Sequence, residues 1–172
     1  MKKIEIISAT PELLKSPFSG SIMKRAIEKG IVQIKFHDLK EYSVNNNKII
    51  LLDFTGWACA NCRRMEENVW SKPAIFELLD NNFVIVSLYV DDRTDLSEDD
   101  KFKFINQAGK IQYISNVGRR WSLFQQINFK NASQPYYVAM LPSGKILTEP
   151  IQFTSEQNFK NWLELAITES NK

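Results

Sequence analysis

Residues 48–55 form an almost continuous apolar run, Lys48-Ile49-Ile50-Leu51-Leu52-Asp53-Phe54-Thr55, interrupted inside only by Asp53. A strand with one wet face would alternate polar and apolar positions, so this run predicts a central strand covered on both faces. Residues 63–70 favour helix, which places the intervening segment 56–62 where a strand turns into a helix. Ser71-Lys72-Pro73 predicts a new helix, with Ser71 as cap, Pro73 in the first turn and Ile75, Phe76, Leu78 and Leu79 as its apolar stripe. Residues 83–90 are rich in β-branched and aromatic types and lie between Asn81-Asn82 and Asp91-Asp92. They predict a second buried strand, parallel to the first across the helical crossover.

Residues 91–116 show no sustained period and read as a long surface excursion with at most one helical turn. Val117, Trp121, Phe124 and Ile127 then recur at helical spacing, predicting an amphipathic helix over 117–127 with Arg119 and Arg120 toward solvent. A strand over 136–141, a turn at Pro142-Ser143-Gly144-Lys145 and extended Ile146-Leu147 predict an antiparallel hairpin. Thr154 or Ser155 caps a closing helix carrying Phe159, Trp162, Leu163, Leu165 and Ala166. Upstream, Ile4, Ile6 and Ile7 suit a strand, residues 21–29 a helix, and residues 31–36 an alternating strand expected to pair at the edge of the main sheet as its first strand. The order strand, helix, strand, helix, hairpin, helix is that of the thioredoxin-like α/β fold, a central mixed sheet flanked by helices.

With 172 residues, 44% of them hydrophobic, the chain suits one main core rather than two. The formal charge of +2 is spread along the sequence, so charge marks no nucleic-acid partner and no anionic membrane surface. No stretch approaches the ~18 apolar residues of a membrane span. The opening segment carries Glu5 and lacks a long apolar core, so neither membrane insertion nor a secretion signal is expected.

Both cysteines of the chain fall in Cys59-Ala60-Asn61-Cys62, which points to chemistry rather than to a disulfide scaffold. At a helix start the first thiol meets unpaired amides and the positive end of the helix dipole, which favour thiolate, with titration near ~7 or lower in place of ~8.5. Cys59 is then the nucleophile toward a partner disulfide, and Cys62, one turn further in, resolves the mixed disulfide. The competing readings are an inert local disulfide and a zinc site. The second would have to complete two cysteines and the single histidine, His37, with carboxylates. His37 alone reads as a surface or packing residue, and no metal or cofactor is expected.

The segment from Leu51 to Glu66, with Val69-Trp70-Ser71-Lys72-Pro73, Val86 to Asp92 and Ser133-Gln134-Pro135-Tyr136-Tyr137-Val138, resembles the C-terminal thioredoxin-like domain of DsbD thiol:disulfide interchange proteins over about residues 48–166. The resemblance implies that Cys59 and Cys62 are the redox pair and that Asp53 is the buried acid assisting proton transfer at Cys62. It implies that Pro135 is a cis-proline opposite the disulfide. Gln134 and Pro135, together with Trp57, become the candidate substrate-binding residues. It also implies protein thiols and disulfides as partners, a membrane electron donor of the DsbD type, and a periplasmic setting. A strand-end Asp53 held by backbone amides and an ordinary strand-start proline remain the plainer readings. The chain departs from thioredoxins proper in carrying Ala58 before the first cysteine, with Trp57 one place earlier, and Ala60-Asn61 between the cysteines. Those residues help set the reduction potential.

Residues 1–47 do not share that resemblance and form an atypical N-terminal segment beside a domain over 48–172. Residues 5–30 and 37–43 resemble the N-terminus of bacterial tRNA guanine methyltransferases, and the likeness stops near Asn46. The glycine-rich segments and knotted region that bind S-adenosylmethionine in that family are missing downstream, so methyl transfer is not expected. A gene fusion, or a strand and helix alike only in pattern, accounts for the segment. Three functions compete on sequence alone: a thiol–disulfide oxidoreductase, a non-redox peptide-binding module of the same fold, and a tRNA-binding or methylating fragment.

Overall fold

The computed structural model describes residues 2–8, 21–39, 41, 43, 48–106 and 108–172. At its centre is β3 (Ile49–Thr55), buried at every residue as its unbroken apolar run requires. The helix that follows, α2 (Ala60–Met65), continues as a π-helical stretch, Glu66–Trp70, and then gives way to α3 (Pro73–Asn82) and β4 (Phe83–Tyr89). Beyond come a short 3₁₀ turn (Glu98–Asp100), a hairpin of β5 (Phe102–Ile105) and β6 (Ile111–Ile114), α4 (Val117–Phe129), β7 (Tyr136–Met140), β8 (Ile151–Gln152) and α5 (Glu156–Ser170). Upstream lie β1 (Lys2–Ser8), α1 (Ser21–Glu28) and β2 (Val32–Asp38).

The main sheet has the order β4-β3-β7-β8, with β4 parallel and β7 antiparallel to β3. Alternate residues of β3 feed two cores. Ile49 and Leu51 pack with Met65, Ile75, Phe83, Tyr137, Phe159 and Leu163 on one face. Ile50, Leu52 and Phe54 pack with Leu39, Val84, Leu88 and Val138 on the other, closed by Trp121 and Phe129 of α4. The mixed sheet flanked by helices is the expected architecture.

Several local expectations change. The strand over residues 32–38 does not join the main sheet. It pairs in parallel with β1, from Lys2 opposite Val32 to Ser8 opposite Asp38, because a strand–helix–strand unit satisfies its own ladder. Consequently, among the described residues β4 is the outer strand of the main sheet, and it is only half buried: Phe83, Val84 and Leu88 are covered, whereas Ile85 and Ser87 are exposed. Ser71 does not cap α3. The π stretch carries helical backbone as far as Ser71, whose hydroxyl donates to the Glu67 carbonyl at 2.5 Å, and the extended N-cap is Lys72, with Pro73 in the first turn.

The excursion over 91–116 holds the β5–β6 hairpin in addition to the single helical turn. The turn after β7 is present, but residue 146 makes only an isolated bridge to Met140, and the regular partner of β7 is β8. Arg119 is exposed as expected, while Arg120 is half-buried and 3.7 Å from Asp100. Ser155, not Thr154, caps the closing helix.

Candidate active site

Strand β3 delivers the chain to Gly56 at the end of the sheet, and the residues after it fold into a tight turn onto α2. Asp91, just past the end of β4, fixes this turn by accepting the backbone N–H groups of Trp57 at 2.9 Å and Ala58 at 3.0 Å. Gly56 leaves room for this carboxylate, since an added Cβ would lie 3.0 Å from it. Burial pushes the Asp91 carboxyl up, but the hydrogen bonds from Ala58, Trp57 and its own backbone, with the Arg93 charge, bring it below its ordinary value.

Cys59 is the N-cap of α2, in extended backbone conformation, and its sulfur accepts the Cys62 N–H at 3.2 Å. The two sulfurs are joined in a disulfide with Cα atoms 5.3 Å apart. Cys59 is half-buried, whereas Cys62 is 1% exposed. An attacking thiol can therefore reach the first sulfur while the second is shielded, and the amide aimed at Cys59 Sγ together with the helix terminus stabilises negative charge there. Trp57 stands beside the pair, 66% exposed, with its ring stacked on Tyr89 at 4.1 Å.

Asp53 is 3% exposed and accepts a hydrogen bond from Ser87 Oγ at 3.1 Å. Burial raises its carboxyl to about 7, with the Glu66 charge adding to the rise and the Ser87 hydrogen bond and Arg63 opposing it. Arg63 donates to Thr55 Oγ1 at 3.2 Å and pairs with Glu66 at 2.6 Å, so α2 and its π continuation hold a cation and an anion near the buried acid. Tyr137, opposite Asp53 in β7, is 1% exposed, and burial with the neighbouring carboxylates pushes its phenol far above the ordinary value.

The Gln134–Pro135 bond is cis and Pro135 is fully buried. Because Tyr136 pairs with Phe54, Pro135 lies opposite the end of β3 from which the cysteine turn departs. The Gln134 side chain donates to Gln125 Oε1 at 2.9 Å and to the Ala132 carbonyl at 3.0 Å. Gln125, 0% exposed on α4, in turn donates to the Ser133 carbonyl at 2.9 Å.

Sequence reasoning missed Asp91, Ser87 and Gln125. The available signals were a boundary acid, a serine inside an apolar strand and a glutamine on the buried side of a helix. His37 lies on β2, in the two-stranded sheet with β1. Among the described residues, no three His, Cys, Asp or Glu side chains cluster as metal ligands, and no helix is long and apolar enough to cross a membrane.

A cysteine pair at the start of a helix that follows the central strand, with a cis-proline beside that strand's end, defines a thioredoxin-type redox centre. The family described as thioredoxin-like domain matches residues 36–167, and the chain belongs to it. Among solved structures it is similar to a DsbH oxidoreductase, with 17% identity, TM-score 0.52, and 75% of this chain and 78% of that one covered. A weaker likeness, with 15% identity and TM-score 0.46, links it to the reduced C-terminal domain of Neisseria meningitidis DsbD, over 73% of this chain and 87% of that one. A short N-terminal stretch of 48 residues is 54% identical to the tRNA (guanine-N(1)-)-methyltransferase of Flavobacterium johnsoniae, covering 28% of this chain. The chain spans only 21% of that relative's length.

Proposed function

We propose that this chain is a protein-disulfide reductase, working by dithiol–disulfide exchange through Cys59 and Cys62. The observation that carries the reading is the unequal pair: an accessible helix-capping sulfur and a shielded second sulfur, with an acid of raised pKa buried in the adjoining strand. In the reduced form, Cys59 thiolate attacks one sulfur of a partner disulfide. The partner's S–S bond breaks, its other sulfur leaves with the electron pair and takes a proton, and a mixed disulfide forms.

Asp53 carboxylate then accepts the Cys62 proton. Cys62 attacks Cys59 Sγ, the partner's second sulfur leaves as thiolate, and the Cys59–Cys62 disulfide forms. Trp57 offers an apolar platform to the partner, and Gln134 and Pro135 support an extended partner segment by backbone pairing. Return to the dithiol requires a thiol donor, for which the DsbD resemblance suggests a membrane electron carrier.

Insulin reduction in the presence of a small dithiol tests the activity. The wild-type chain is expected to accelerate precipitation of the insulin B chain, and Cys59→Ser to abolish the effect. In the reduced protein, iodoacetamide is expected to label Cys59 before Cys62. Turnover by Cys59→Ser, or first labelling of Cys62, contradicts the assigned roles.

A further inference from the structure

Under the proposed mechanism Asp53 must take a proton from Cys62 and give it up again, yet it is 3% exposed. Its proton needs an outlet that does not run back through the sulfur. On the side of β3 away from β7, the strand register sets Ser87 directly beside Asp53, and Ser87 Oγ is 3.1 Å from Asp53 Oδ2. Strand β4 is the outer strand of the main sheet, and Ser87 is exposed on it. A hydroxyl donates and accepts at once, so a single side chain bridges the buried carboxyl and water.

The other groups acting on Asp53 are placed differently. Arg63, on α2, is engaged with Glu66 of the π stretch at 2.6 Å. Tyr137, on β7, is itself buried, and its phenol keeps its proton.

We propose that Ser87 is a positioning residue through which Asp53 exchanges its proton with bulk water at the open edge of the sheet. This rests on the reading of Asp53 as the base for Cys62. Once Cys62 has given its proton to Asp53, and before the Cys62 thiolate attacks Cys59 Sγ, the Asp53 carboxylic acid passes that proton to Ser87 Oγ, so that it cannot return to the sulfur. The original hydroxyl proton of Ser87, turned outward when Asp53 is protonated, passes to a water molecule, and the proton received from Asp53 leaves the hydroxyl donating to the carboxylate again. The net change is one proton moved from the Cys62 thiol to water, with carboxylate and hydroxyl regenerated.

The test uses the reduced full chain and 5,5′-dithiobis(2-nitrobenzoate) in single turnover. Attack by Cys59 releases the first coloured thiolate and attack by Cys62 the second. The pH profile of the second phase is compared for the wild type, Ser87→Ala, Ser87→Thr, Glu66→Gln and Asp53→Asn. The first phase is expected to be unchanged in Ser87→Ala. The second is expected to slow by roughly tenfold, to remain slow at a pH above the Asp53 midpoint, and to recover in Ser87→Thr.

A Ser87→Ala profile merely displaced along the pH axis, catching the wild type at high pH, makes the contact a static hydrogen bond and overturns the outlet. So does a wild-type second phase in Ser87→Ala beside a slow one in Glu66→Gln or Asp53→Asn, which leaves the Asp53 reading standing. A wild-type second phase in Asp53→Asn removes the Asp53 reading, and the outlet with it.

Discussion

At Asp53 the fold holds an acid against its own solvation. Burial is the main cause of the rise to about 7 from an ordinary value of 3.8, ahead of the neighbouring charges. An acid whose folded pKa lies above its unfolded one binds more protons in the folded state. Its contribution is therefore harmless at low pH and becomes a growing penalty as pH rises toward the folded value. At ~1.4 kcal/mol per pKa unit the penalty is on the order of 4 kcal/mol once pH exceeds about 7. Asp53→Asn is expected to be more stable than the wild type above that pH, and to lack its decline between about pH 4 and pH 7. Chemical denaturation of the disulfide form at a series of pH values reads this, and parallel stability curves would exclude an uncompensated buried carboxyl. Asp91 has the opposite character, a carboxylate that binds two amides of the cysteine turn. Asp91→Ala is expected to cost about 1–3 kcal/mol, toward the lower figure because the site is half exposed, and to slow exchange by loosening the turn. Thermal unfolding with insulin reduction measures both, and a variant with wild-type stability and rate would deny the bracing role. Cys59 and Cys62 stand out in the sequence by their local spacing, and Asp53 is singled out by the DsbD resemblance. Asp91, Ser87 and Gln125 were not legible, since each acts on a residue that the sequence holds well apart, such as Ser87 on Asp53.

Elements with a sustained hydrophobic pattern, whether unbroken or at helical spacing, were read correctly. Strand β3 is buried throughout, β7 is buried at four of its five residues, and α5 carries its apolar stripe under a serine cap. Strand β4 has the same composition as a central strand, but its burial depends on what lies beyond it, which no local pattern encodes. The π stretch was invisible for a related reason, since Glu66 to Trp70 favour helix of any pitch. The β5–β6 hairpin was missed because each strand has only four residues, too short for its alternation to stand out. One contact between elements sits at Gly118, buried in the first turn of α4. Its N–H donates to the Asp92 carbonyl at 2.9 Å, and an added Cβ would lie 2.6 Å from backbone atoms of Val90 and Asp92. Backbone cannot swing aside as a side chain can, so Gly118→Ala must push α4 away from the loop that carries Asp91. We expect a loss of about 1–3 kcal/mol, accompanied by slower exchange although Gly118 touches neither cysteine. Urea unfolding and single-turnover kinetics are the measurements, and full stability in the alanine variant would show that the contact relaxes freely.

For the molecule as a whole, the question is where the redox body begins. The family match starts at residue 36, the methyltransferase likeness occupies a short N-terminal stretch, and β1 and β2 form a sheet separate from the main one. Two residues upstream of the expected boundary at 48 are nonetheless tied to the main body. Leu39 is 8% exposed among Ile50, Leu52, Phe54 and Val84. The buried Ser43 donates its hydroxyl to the Lys48 carbonyl and accepts the Lys48 N–H at 2.9 Å. We therefore propose that the first thirty residues are dispensable for exchange, whereas residues 31–47 contribute to stability. A chain of residues 31–172 loses β1 and α1 but keeps the main sheet, both of its cores, Leu39 and Ser43. It is expected to stay within ~1 kcal/mol of the full chain, since none of the described core residues is removed, and to reduce insulin at the same rate. A chain of residues 48–172 loses Leu39 from the core under α4, a change comparable to deleting a buried leucine side chain, and is expected to be about 2–5 kcal/mol less stable. Denaturant midpoints and insulin turnover for the three lengths distinguish the possibilities. Insoluble or unfolded 31–172 would mean that the N-terminal strand–helix–strand unit belongs to the redox body, and equal stability of the two shortened chains would mean that Leu39 does not support its core. Methylation of tRNA by the full chain would contradict the separation altogether, because it would require the N-terminal segment to act with residues that the redox domain already uses for its own fold.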